Sequence, residues 1–400
     1  MANRNSFSLI RALEPLAKLT FILGILPDWC GVIPKRKTIM RANLFAVFLN
    51  VCLLVIMVAY MFYQGYCAIN ESNSVHVSIP LLVWMFCCTV MTCTIIYLIF
   101  QHKEMIRFFS DWTSMEKTLP FIDQKSRKYE EKLKNRLYVM LIIYVVLTLV
   151  SIMTLPYVSM QRTSYLYQME LRQLFTDPAL LVTQSLSCTC VLVINFMGEM
   201  VPALIHVHAA IIIRALEKQI KQGFGICFGY GSKKADLLGK SLLEERLLHT
   251  LTRYEEICQF IIRVNLLFGL PMFASHSSML AYVILQTFSL LKNLSNINWL
   301  EFLVIFSNIP FLVFRVMVTV STSNIFSTAL PQFKSTLNKI LIQHRAVLKN
   351  REYYFLKNFM LRLSANNVFV SPLSLYRTNR SLLLNMFSIF VTYNVIFIQS

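Results

Sequence analysis

The sequence predicts an all-α membrane protein of seven transmembrane helices, with its amino terminus in the cytoplasm and its carboxyl terminus outside. Three observations carry this: seven long apolar runs, a scarcity of charge, and a strict alternation in where Lys and Arg fall. Apolar residues fill 56% of the 400 positions and charged residues 14%, against about 45–50% and about 25% in a soluble domain. Folding these runs into soluble cores would leave too little polar surface to cover them.

A helix needs about 20 apolar residues to cross the hydrocarbon core. Seven segments meet this need: 43–66, 79–100, 137–159, 179–205, 259–290, 299–327 and 381–399. Spans one, two, three and seven carry no charge; the others hold Glu199, Arg263, Glu301 and Arg315. Lys and Arg number seven before span one, then none, nine, two, eight, one and nine in successive loops, and none at the end. That is 33 on one side against 3 on the other. Positive charge stays inside, so the amino terminus and loops two, four and six are cytoplasmic.

The net charge of +18 therefore reads as topology signal. No long basic run and no zinc-finger or RNA-binding signature points to nucleic acid. The ten cysteines form no C-x-x-C pair; Cys52, Cys87, Cys88, Cys93, Cys188 and Cys190 lie in apolar runs as small packing residues. No metal site or cofactor is expected. The seven histidines are scattered, and neither H-E-x-x-H nor G-x-S-x-G occurs, so an enzyme is not expected. Ser8 to Leu26 is predicted to be an amphipathic helix at the membrane surface. The sequons at Asn70 and Asn293 fall in loops predicted outside, and that at Asn379 falls inside.

The cytoplasmic segments read as helical. Span four continues through His206, Ile213, Leu216 and Ile220 and is expected to break at Gly223, Gly225, Gly229 and Gly231, which match no phosphate loop. Leu242, Leu243, Leu247, Leu251, Tyr254 and Cys258 then recur at helical spacing, on a helix expected to feed span five without a break. Span six runs on through Leu337, Ile340 and Leu341. Glu244, Glu245, Glu255 and Glu256 read as a solvated face. Arg263 is placed to snorkel. Arg315 lies deeper and Glu199 near the inner end of span four; each reads as a paired or snorkelling side chain or as part of a gate. No buried charge pair of the kind a transporter carries is evident.

Span seven carries the most information. Asn385, Ser388, Thr392 and Gln399 follow a heptad-like spacing, and at about 100° per residue they share about 60° of arc. Polar groups facing lipid are costly, so the stripe faces protein or water. Hydrogen bonding between helices and a water-filled pathway both account for it.

Thr392-Tyr393, five residues from Asn394 to Ile398, and Gln399 resemble the carboxyl-terminal signature of insect gustatory receptors: Thr-Tyr, five mostly hydrophobic residues, Gln, Phe. Here Asn394 takes the first of the five positions and Ser400 stands in place of the Phe. Asn379-Arg380-Ser381-Leu382-Leu383 is similar to the stretch leading into the family's last helix. The resemblance implies an insect chemoreceptor-type channel subunit: a ligand-gated non-selective cation channel opened by a small-molecule tastant. It implies a homotetramer or a heterotetramer with related receptors. Permeant monovalent cations, with calcium as a further candidate, and a multi-pass place in the plasma membrane follow. The motif carries over to Thr392, Tyr393 and Gln399, with Gln399 near the outer mouth of a pore lined by the last helix.

The expected division is a cytoplasmic segment with the amphipathic helix (1–42), spans one to six with the ligand pocket (43–327), a cytoplasmic anchor (328–380) and the pore helix (381–400). A pocket in the outer half of the subunit would draw on Trp84, Thr154, Tyr157, Gln184, Tyr282, Gln286, Trp299 and Asn308. Aromatic walls with a few amides and hydroxyls suit a small amphipathic or hydroxylated ligand. The alternatives are an odorant-receptor-type channel subunit, which shares the fold, and a G-protein-coupled receptor. The latter has the opposite orientation, and neither Asp-Arg-Tyr after span three nor Asn-Pro-x-x-Tyr in span seven is present.

Overall fold

Apolar runs of this length cannot leave backbone N–H and C=O groups unpaired in lipid, and helices pair them within one segment. The computed structural model describes residues 9–31, 37–71, 75–117, scattered positions between 128 and 146, 178–228, 236–292, 299–343, 345, 350–365 and 368–399. Side chains at 60–88, 178–192 and 291–312, and some others within the helices, lie outside that description. Among the described residues there is no strand. The helices are α1 (Leu9–Ile22), α2 (Lys37–Glu71), α3 (Val75–Lys117), α4 (Pro178–Phe228), α5 (Asp236–Leu267), α6 (Gly269–Lys292), α7 (Trp299–Gln343), α8 (Asn350–Ala365) and α9 (Arg380–Gln399), with a 3-10 turn at Pro372–Ser374. The third predicted span lies mostly outside the described residues; those that are described there are helical.

Two helices organise the molecule. α4 has 51 residues and α7 has 45. At about 1.5 Å per residue each is about twice as long as the hydrocarbon core is thick. Residues 193–213 of α4 are buried on every side, the mark of a central helix. α7 lies along it and runs the same way: Arg315 meets Glu199 at 2.8 Å, and further along both helices Thr336 Oγ1 donates to Glu217 at 2.7 Å. Close to that point α5 and α8 join them. Tyr254 stacks on Phe333 with ring centroids 4.5 Å apart and meets Phe359 edge-on at 6.2 Å. Among the described side chains, Val193–Gln222 and Val313–Gln343 are long and apolar enough to cross a membrane, and the bent pair α5–α6 makes a third candidate. α2 presents Leu44, Phe45, Phe48 and Leu49 outward, as a lipid-facing helix does.

Four expectations need correction. First, α5 does not feed span five unbroken: Leu247–Leu267 and Gly269–Ala281 meet at Phe268 with a bend of 54°. Pro271, in the first turn of α6, has no N–H to offer Leu267 O, and a first turn tolerates that loss. The neighbouring Leu266 O accepts from Tyr97 Oη at 2.7 Å. Second, α4 passes through Gly223 and Gly225 and ends at Phe228. Glycine weakens a helix by only about 1 kcal/mol, less than a packed helix can absorb. Gly229 and Gly231 lie outside the described residues. Third, the apolar face of α1 is covered by protein, not presented to a membrane: Leu9, Leu13 and Leu16 are fully buried. Trp29 folds back after α1 and donates to Thr20 Oγ1 at 3.0 Å. Fourth, a buried charge pair does exist, between Glu199 and Arg315.

Candidate functional site

Two features stand out from ordinary packing: a buried polar cluster inside the bundle and the exposed stripe of α9.

The cluster starts on α4. Gly198 brings α6 very close, since a Cβ there would stand 2.6 Å from Pro271 O. The next residue, Glu199, is 4% exposed. Its Oε2 accepts Arg315 Nε at 2.8 Å, and its Oε1 accepts the Ser275 hydroxyl of α6. The Arg315 guanidinium also lies over the Phe196 ring at 5.6 Å, and Thr319 Oγ1 returns to Arg315 O at 3.2 Å. An ion taken out of water is tolerated when it is paired and hydrogen-bonded, and here three helices supply the partners. Beside Ser275, His276 Nδ1 meets Tyr376 Oη at 2.7 Å. Tyr376 belongs to the segment that leads into α9. Polar contacts thus run from α7 through α4 and α6 to the base of the last helix. Glu199 and Arg315 are singled out by charge in an apolar run, whereas Ser275, His276 and Tyr376 carry no such signal.

Arg263, expected to snorkel, has protein partners. Its Nη1 donates to Asp111 Oδ2 at 2.8 Å, and its guanidinium lies over Phe108 and Phe260. Elsewhere on α3, Glu116 Oε1 accepts the Leu9 N–H at 3.1 Å and the Trp112 indole N–H at 3.0 Å. The same oxygen lies 2.8 Å from His208 Nε2. Burial raises the Glu116 carboxyl's hold on its proton. The hydrogen bond and charge of His208, with the two N–H donors, outweigh burial and keep it below its ordinary range. The carboxylate also sits where a helix amino terminus favours negative charge, and it ties α1 to α3 and α4.

α9 packs through one face. Leu382 and Asn394 are buried, and Leu383, Met386 and Phe390 are half-buried. Asn385, Ser388, Thr392 and Gln399 are exposed, as is Tyr393. At about 100° per residue, the stripe lies about half a turn of the helix away from the packed face. Thr392 Oγ1 donates to Ser388 O at 2.9 Å within α9, and none of the four side chains bonds to another helix among the described residues.

Of the pocket residues, Thr154 and Tyr157 lie outside the described residues. Trp84 is on α3, Gln184 on α4, Tyr282 and Gln286 on α6, and Trp299 and Asn308 on α7; these six are placed by backbone alone. α3 packs on α6, and α4 packs on α7 and α6, so the helices that carry them are neighbours.

Among the described residues, two double-length helices at the centre and a peripheral, half-exposed last helix form an apolar helical bundle of the kind that suits a membrane protein. A family model described as 7tm Chemosensory receptor matches residues 13–400, and the chain belongs to that family. The resemblance to insect chemoreceptors thus holds over nearly the whole sequence. No curated protein matches. The fold is similar to the insect olfactory receptor OR5 from Machilis hrabei, with a TM-score of 0.70 at 11% identity, covering 98% of this chain and 98% of that one. The complex of that receptor with eugenol matches equally, with a TM-score of 0.70, 11% identity, and 98% and 99% of the two chains covered.

Proposed function

We propose that this chain is a gustatory receptor of the plasma membrane, a subunit of a tetrameric ligand-gated cation channel opened by a small-molecule tastant. The observation that carries the reading is the position of the polar stripe on α9. Asn385, Ser388, Thr392 and Gln399 face away from their own subunit, and lipid is a poor neighbour for amides and hydroxyls. A shared aqueous axis between copies of the chain satisfies them. Monovalent cations are the expected permeants, with calcium a further candidate, and Gln399 stands nearest the outer end.

The Thr392-Tyr393 and Gln399 motif favours a gustatory over an odorant specialisation. The eugenol complex of the Machilis receptor supports a small organic ligand for this fold. For this chain the pocket is assigned to the outer halves of α3, α4, α6 and α7, with Thr154 and Tyr157 of the third span. The decisive experiment is to express the chain alone, apply sugars and bitter plant compounds, and record currents with G-protein signalling blocked. Tastant-evoked cation current is expected; a response that disappears with the block sinks the channel reading and favours a G-protein-coupled one.

A further inference from the structure

The segment joining α8 to α9 is bent into a conformation that its own residues do not favour. Leu373 and Ser374 have φ of 51° and 60°, in the left-handed region that residues with a Cβ seldom occupy. Such a conformation persists where the surroundings over-determine it, and here they do. Asn265, near the end of α5, grips the segment twice: its Nδ2 donates to Phe369 O at 2.8 Å, and its Oδ1 accepts the Ser371 N–H at 3.3 Å. Gly269, the first residue of α6, admits the strained turn, because a Cβ there would stand 2.8 Å from Leu373 N. Thr378 N–H closes the loop on Val370 O at 2.9 Å. Tyr376 Oη then reaches His276 Nδ1 at 2.7 Å. Asn265 lies before the 54° bend at Phe268, and Gly269 and His276 lie after it. The strained turn and the bend in span five are therefore packed on each other, just below the start of α9.

We propose that this contact is a latch that sets the position of α9. Asn265, Gly269, His276 and Tyr376 are positioning residues: they belong neither to the stripe nor to the expected pocket. The inference rests on the reading of α9 as the gated helix of a ligand-gated channel. Ser275 ties the same turn of α6 to Glu199, so the latch is referred to the packed α4–α7 pair. A ligand shifts the channel only through a difference in affinity between its states, and a hydrogen-bonded turn with two arrangements is the kind of element that carries such a shift.

The test is a double-mutant cycle on the full-length channel, with a sugar or bitter compound that activates the wild type. Tyr376→Phe and His276→Leu are each expected to move the half-maximal concentration by about two- to tenfold, in the same direction. The double variant should move it no further than the larger single change. Single-channel conductance and cation selectivity should stay unchanged, which a disrupted pore would not allow. Ser374→Asn, which suits the left-handed region better, should shift sensitivity the opposite way. Additive shifts, a change in conductance, or a Ser374→Asn shift that is absent or in the same direction overturns the latch. A wild type silent to every compound sinks the channel reading alone. The latch is then judged by backbone hydrogen exchange in the purified full-length chain. Tyr376→Phe should speed exchange at Thr378 and leave residues 193–213 unchanged; unaltered exchange at Thr378 overturns it.

Discussion

Arg315 and Glu199 are separated by more than a hundred residues, yet each accounts for the other's burial. An unpaired guanidinium or carboxylate at that depth would be costly, and removing one partner strands the other. Arg315→Ala is therefore expected to destabilise the chain by about 3–5 kcal/mol, read as a lowered melting temperature in detergent. Glu199→Gln combined with Arg315→Leu should recover most of the loss; a double variant as unstable as Arg315→Ala would show that the pair itself is not the cause. Glu116 calls for a different measurement. Its folded carboxyl is held below the ordinary glutamate range. Its contribution is therefore complete above the unfolded value and is lost as pH falls through the folded one. Protease release of α1 should rise as the medium is acidified below the ordinary glutamate range. Glu116→Gln should flatten that dependence and loosen α1 at neutral pH. A wild-type profile that the substitution leaves unaltered would dissociate Glu116 from the docking of α1.

At the scale of the element, α9 divides into a packed face and a polar face. Cysteines placed one at a time at 385, 388, 392 and 399 should react with a charged thiol reagent and change the current, and react faster with ligand present. A cysteine replacing Leu382, on the packed face, should be protected. Four unreactive stripe positions in a ligand-activated channel would return the stripe to packing between copies. The stripe itself was legible in the sequence, because residues of one helix fix each other's azimuth through the 100° step. The bend at Phe268 was not. Pro271 and Gly269 permit a break, but the same residues also sit in unbroken helices, as Pro202 does in α4. The bend goes with the close approach of Leu373 to Gly269, a contact between segments about a hundred residues apart. The persistence of α4 past Gly223 and Gly225 is the converse case: glycine costs a helix only about 1 kcal/mol, so it permits a turn without imposing one.

At the scale of the whole molecule, orientation and assembly are the consequences to check. The alternation of Lys and Arg predicts that a tag after Ser400 is reachable on intact cells and that one before Met1 is not. The opposite pattern would remove the basis for the channel topology. The native mass in mild detergent should correspond to four subunits; a stable monomer would leave the α9 stripe without the partner it requires. α8 and the end of α7 present Ile342, Tyr354 and Leu361 outward, in the region of 325–370 where the subunits are expected to join.

The sequence alone determined that the chain is helical, that it crosses the membrane seven times, and that its last helix has one polar side. Each of these depends on composition or on a local period, and the bilayer enforces both by excluding unpaired backbone and isolated charge. Only the tertiary structure decided that Arg315 answers Glu199, that α1 buries its apolar face against protein, and that Tyr376 meets His276 beside a bent fifth span. These are pairings between residues far apart in the chain. A local pattern can mark a charge or a proline as unusual, but which group it meets is set by how the helices pack.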